Sequence, residues 1–203
     1  MKIRSIFMVL VVAALVSGCQ STWIRSAWFD TDFTGPPLRK IVVVAGIDVV
    51  TDARNLEDAF AARLRAAGVD SVAGHTVAGI SAATSDAAFA DAVRASGAQG
   101  LLLVRLLGVD TRTQVSTTMV QGGMGWGRGP WGPTPTRQMV PVQQVRQYDL
   151  ATVETKVFDV QTRQLIWAAT TSTFNPRSIA RETPAFTDLI VDQLQDRGII
   201  AKK

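Results

Sequence analysis

Hydrophobic positions change rhythm along this chain. Ile6 to Val16 are eleven consecutive apolar residues. Between Ile41 and Leu107, short continuous apolar runs alternate with stretches whose apolar residues recur every three or four positions. After Leu107 the sequence turns to long polar and β-branched stretches.

The middle region predicts alternating strands and helices. Ile41 to Ile47 is a short β-branched run of the kind buried on both faces of a sheet. A helix follows, with Thr51 or Asp52 as N-cap, Leu56, Phe60, Leu64 and Ala67 on one stripe, and Gly68 as its C′ residue. Val69 to Ala73 starts a second strand. Ser85 caps a second helix through Phe89, Ala92 and Val93 that Gly97 closes, and Leu101 to Val104 is a third strand. Strands separated by helices imply a parallel βαβαβ first half.

The later stretches, Asp110 to Val120, Tyr148 to Val160 and Leu165 to Phe174, read as antiparallel strands. Val153, Thr155 and Val157 alternate with Glu154 and Lys156, and Asp159 to Gln164 is a natural turn into Leu165, which predicts a hairpin. Thr183-Pro184 would open a last helix as N-cap and N1, carrying Phe186, Leu189, Ile190 and Leu194 to Gly198. The expected class is α/β, a mixed sheet of about five strands with three helices.

The start of the chain predicts an address. Lys2 and Arg4, the apolar run, and the small residues Ser17 and Gly18 form a signal-peptide pattern over 1–18. Eleven apolar residues fall short of the roughly 20 that a helix needs to cross a bilayer, so a transmembrane anchor is the weaker reading. Val16-Ser17-Gly18-Cys19 resembles the bacterial lipobox, and this implies cleavage before Cys19 with lipid on its sulfur; an ordinary cleaved signal is the alternative. Gln20 after the cysteine resembles the outer-membrane sorting class. The expected organisation is a signal peptide (1–18), a lipidated tether (19–40) and a periplasmic domain (41–203). Trp23, Trp28, Phe29 and Phe33 in the tether would pack on the domain or sit at the headgroups.

Composition narrows the chemistry. Losing Lys2 and Arg4 with the signal lowers the formal charge from +4 to +2, and no block of like charge points to nucleic acid. One cysteine and one histidine exclude a cysteine-rich metal site or a disulfide scaffold, and no metal or cofactor is implied. Gly122 to Pro133 is rich in glycine, proline and tryptophan, and the loop 121–137 is expected as a hairpin tip. Gly127-Arg-Gly129-Pro-Trp-Gly132 formally satisfies G-x-G-x-x-G, yet prolines and a strand-like segment follow where a phosphate site needs a helix. Met124, Trp126, Arg128 and Trp131 would project from the loop as candidate contacts for a partner. No catalytic set assembles. His75 lacks a lipase-type G-x-S-x-G, Asp110, Glu154 and Asp159 read as solvated or turn carboxylates, and Trp167 reads as core.

Several phrases carry a resemblance: Arg54 to Phe60, Gly68-Val-Asp70, Gly100 to Arg105, and Glu154 to Val160 followed by Leu165-Ile-Trp167. Together they resemble a family of bacterial outer-membrane lipoproteins with an α/β periplasmic domain and no assigned reaction. The strand-helix order is also similar, at the level of fold, to lipoproteins that activate peptidoglycan synthases, to curli-secretion lipoproteins, and to the amino-terminal part of TolB. The leading expectation is a non-enzymatic binding or assembly module on the periplasmic face of the outer membrane. Its partners would be the membrane, through the lipid, and an envelope protein or peptidoglycan. An envelope hydrolase and a self-assembling secretion subunit are the alternatives.

Overall fold

A computed structural model describes residues 22–80, 85–129, 132–176 and 178–202, with the backbone alone over 121–129 and 132–139 and at residue 174. The class is α/β. Six strands, β1 (Thr22–Phe29), β2 (Lys40–Gly46), β3 (Asp70–Ala73), β4 (Gly100–Gly129), β5 (Gly132–Asp159) and β6 (Leu165–Phe174), form one sheet in the order β1-β6-β5-β4-β2-β3. Among the described residues three α-helices accompany it: α1 (Val50–Ala66), α2 (Asp86–Ala95) and α3 (Ile179–Asp196). Pairing is parallel between β3, β2 and β4 and antiparallel from β4 through β5 and β6 to β1.

The helices bury the apolar stripes that their spacing anticipates. Leu56, Phe60 and Leu64 of α1 and Phe186, Ile190 and Leu194 of α3 share one core with Ile41, Val43, Leu102, Val104, Val157 and Trp167 on one sheet face. Phe60 and Phe186 meet edge to face at 5.3 Å between ring centroids, an arrangement that suits the ring quadrupoles. The opposite face carries a smaller core, where Val93 of α2 packs near Val42, Ile80 and Val160. Gly68 ends α1 at φ +93°, and the Gly68 and Val69 N–H groups donate to the Arg65 and Leu64 carbonyls. That is a complete Schellman stop. Ser85 caps α2 by accepting from the Ala88 N–H at 3.2 Å, as its sequence suggests.

Four expectations need correction. The sheet has six strands rather than about five, because Thr22–Phe29, part of the presumed tether, pairs with β6. A register shift between Ile24 and Ser26 breaks its alternation, which hides the strand in the sequence. Phe29 and Phe33 pack against the core, whereas Trp23 and Trp28 are exposed. The N-cap of α1 is Val49, without a side-chain bond, and Thr51 and Asp52 lie inside the helix; there Asp52 still favours the positive helix end. Helix α3 begins at Ile179 rather than after Thr183. Ser178 accepts from the Arg181 N–H, and Pro184 sits inside the helix. The missing Pro184 N–H removes one bond near the helix start, while the Ser178 cap satisfies an end donor. The stretch 121–137 is not simply a loop: described residues within it continue β4 and β5, with Met124 opposite Arg137, Trp126 opposite Pro135 and Arg128 opposite Pro133.

Candidate functional site

The sheet is uneven in length. β2 pairs with β4 only as far as Gly46–Arg105, and β6 pairs with β5 only from Leu150–Phe174 inward. Beyond those limits β4 and β5 continue as a ribbon bonded to itself. From Val109 to Gly129 the ribbon would extend on the order of 65 Å at the usual strand rise. A register shift between Leu106 and Gly108 marks its root.

Both ribbon edges are unpaired among the described residues, so backbone donors and acceptors line them in a form that another strand can use. Natural edges carry lysine, proline or inward charge against such pairing. On β4, residues 113–127 contain neither a charged residue nor proline; on β5, Pro133, Pro135 and Pro141 interrupt the donors. Three apolar side chains stand in solvent at well over half exposure: Val115 at 59%, Met119 at 61% and Val145 at 63%. In the alternating pairs Val115–Val145 and Met119–Pro141, these residues lie on one ribbon face, whereas Arg112 and Arg146 lie on the other. One face is therefore free of charge and the other basic over this length.

The ribbon root lies at the same end of the sheet as the start of β1. Thr22 opens β1 opposite Thr173, and Ala151 of β5 lies opposite Thr173 on its other side. Next to these residues is an open cavity of about 270 Å³ whose walls include Ile47, Leu56, Leu106, Val109, Ile179 and Phe186. Its polar margin includes Asp149, Ser178, Glu182 and Thr183. Asp149 accepts from Thr111 Oγ1 at 2.7 Å, and Thr183 Oγ1 donates to the Ile179 carbonyl at 2.7 Å. The cavity thus lies at the carboxyl end of β2, beside the start of α1 and under the first turn of α3, a usual place for ligands in sheets with parallel strands.

His75 is not isolated. It lies in a 3₁₀ turn, Gly74–Thr76, after β3. The buried Glu57 carboxylate accepts from the His75 N–H at 2.8 Å, contacts His75 Nδ1 at 2.8 Å, and accepts from the Ala45 N–H at 2.9 Å. Asp58 lies 3.6 Å from His75 Nε2. β3 pairs with β2 only to Val43–Ala73, so the carboxylate satisfies a β2 donor left without a strand partner. Gly74 permits the close approach: a Cβ there would stand 2.8 Å from the Val43 carbonyl oxygen. The helix spacing that makes Glu57 a neighbour of Phe60 and Ala61 was visible, but its link to His75 depends on tertiary placement. The described polar contacts of His75 run to Glu57 and Asp58, and through Glu57 the arrangement splices the backbone of β2 to the turn.

The other singled-out side chains are dispersed. Glu154 pairs with Lys156 at 2.9 Å, Asp159 accepts from Thr162 in the turn before β6, and Asp110 is exposed on the ribbon. Trp167 is fully buried in the core. Among the described residues, no group of three or more His, Cys, Asp or Glu side chains is placed to hold a metal ion. Val16, Ser17, Gly18 and Cys19 lie outside the described residues, as does Trp131. Met124, Trp126 and Arg128 lie on the distal part of β4. Among the described residues no helix is long and apolar enough to cross a membrane.

What the fold and this region define is an α/β domain with a projecting two-stranded ribbon. No family profile matches the chain, and no curated protein matches it by sequence. Solved structures with a partial likeness include the PelC dodecamer of Paraburkholderia phytofirmans, as its L103M form, at 16% identity and a TM-score of 0.45 over 88% of this chain and 99% of that one. Another is the lipoprotein GNA1162 of Neisseria meningitidis, at 12% identity and a TM-score of 0.43 over 77% of this chain and 98% of that one. Likeness at this level passes no role from either protein to this chain.

Proposed function

We propose that this protein is a lipid-anchored envelope module on the periplasmic face of the outer membrane, and that it binds or assembles through the β4–β5 ribbon without catalysing a reaction. The observation that carries the reading is that β1 begins at the same end of the sheet from which the ribbon leaves, at Thr22, Thr173 and Ala151. An anchor on Cys19 would hold the ribbon root near the bilayer and raise its effective concentration for partners there. A protein partner suits the ribbon better than a glycan, because its unpaired edges offer a ladder of backbone groups that an incoming strand can complete. The lipobox resemblance supports the address, and the Glu57–His75 arrangement supports a structural rather than a chemical use of the histidine.

The test is to replace residues 113–147 by Asn-Gly, joining the paired residues Arg112 and Tyr148, and to compare chemical cross-links in intact bacteria. Loss of discrete cross-linked species with the domain still folded supports the reading; an unchanged pattern removes the ribbon from it.

A second reading has its own observation. Because both ribbon edges are open, β4 of one copy can pair with β5 of the next, a head-to-tail contact that closes into a ring or barrel when the rotation fits. Mass determination of the full-length protein in detergent distinguishes the two: multimers lost on ribbon excision favour self-assembly, and monomer alone excludes it.

A further inference from the structure

We propose that the apolar cavity at the ribbon root receives an acyl chain carried on Cys19 of the same molecule; the inference rests on the lipid-anchored reading above and adds a docking place for part of the anchor. Thr173 lines the cavity, and Thr22 is both its strand partner and its hydrogen-bond partner. Only Gln20 and Ser21 lie between Cys19 and Thr22, so three Cα–Cα steps span at most about 11 Å when extended. An acyl chain attached at Cys19 therefore begins within a short distance of the cavity mouth.

The cavity's chemistry points the same way. Its wall joins Ile47 after β2, Leu56 of α1, Leu106 and Val109 of β4, and Ile179 and Phe186 of α3. Such a wall favours a flexible hydrocarbon over a polar guest. Asp149 and Glu182 at the margin would repel the carboxylate of a free fatty acid. Lipid held on cysteine through thioether, ester and amide links carries no such charge. At about 270 Å³ the open space has room for no more than one chain, which leaves the others of a multiply acylated cysteine for the bilayer. Occupancy would tie the anchor to the ribbon root and fix the angle at which the ribbon leaves the membrane surface.

The test uses the full-length protein from bacteria fed a diazirine-bearing fatty acid, purified in detergent, irradiated, and mapped by peptide mass spectrometry, with the intact mass reporting acylation. The expected result is an acylated protein with adducts concentrated on the peptides of Ile47, Leu106, Val109, Ile179 and Phe186. Ala151→Phe, which fills the cavity from its floor, and Val109→Phe, which fills it from the exposed rim, should each lower those adducts at least about tenfold with the acylated mass unchanged. The rim variant keeps the test available if the floor variant does not fold. An acylated protein whose adducts lie elsewhere, or resist both fillings, overturns the inference and leaves the anchor reading intact. An intact mass without acyl groups overturns both. Equal cavity labelling of a Cys19→Ser protein by the free diazirine fatty acid overturns the claim that the guest is the molecule's own.

Discussion

The Thr22 and Thr173 hydroxyls lie 2.9 Å apart in a buried hydrogen bond across β1 and β6. This bond pins the first residue of the edge strand to the strand end that borders the ribbon root. Two features far apart in sequence, the start of β1 and the root of the β4–β5 ribbon, are thereby placed at one end of the sheet.

Thr173→Val should destabilise the domain by about 1–2 kcal/mol, because Thr22 would keep a buried hydroxyl without its partner. The double change Thr22→Val with Thr173→Val should cost less than the sum of the single changes, since both hydroxyls go together. Urea unfolding of the four proteins measures the coupling; strictly additive costs would mean that the bond contributes nothing.

Glu57→Gln should cost about 2–3 kcal/mol. The carboxylate oxygens accept from the Ala45 and His75 N–H groups, and an amide can present only one acceptor oxygen to them. A urea midpoint within error of the parent protein would show that these donors find water instead.

Gly74→Ala should destabilise by about 1–3 kcal/mol, the usual cost of overpacking. Its Cβ would lie 2.8 Å from both the Val43 carbonyl oxygen and Val44 Cγ2, so backbone must move. Thermal unfolding reports it, and a melting temperature equal to that of the parent would mean the 3₁₀ turn adjusts freely.

Excising the ribbon by joining Arg112 to Tyr148 through Asn-Gly should leave the melting temperature of the domain nearly unchanged. The main core draws on β4 and β5 at Leu102, Val104 and Val157, all on the domain side of the cut. A two-residue turn between paired residues also suits hairpin geometry. Circular dichroism with temperature checks this; cooperative unfolding lost on excision would make the ribbon part of the folding unit.

Much of the fold was legible because local and global signals agree. The stripe Leu56, Phe60, Leu64 is the buried face of α1, the Ser85 and Gly97 signals bound α2, and Val153, Thr155 and Val157 point inward as their alternation suggests. Legibility failed where tertiary pairing outweighs local pattern. β1 carries a bulge and two exposed tryptophans, so its period is broken, and its order comes from β6. The glycines of 121–137 signal a loop, yet backbone pairing continues through most of that stretch. The site was the least legible part. Its determinants are strand lengths and the meeting of Thr22, Thr173 and Ala151, which no local spacing encodes.

The most direct test of the central claim is photo-cross-linking in intact bacteria from a reactive amino acid at Met119, exposed on the uncharged ribbon face, with a control at Arg197, exposed beyond the last turn of α3. A discrete protein adduct from Met119, and none of that mass from Arg197, is the expected result. No adduct at Met119, or the same adducts from both sites, would contradict it.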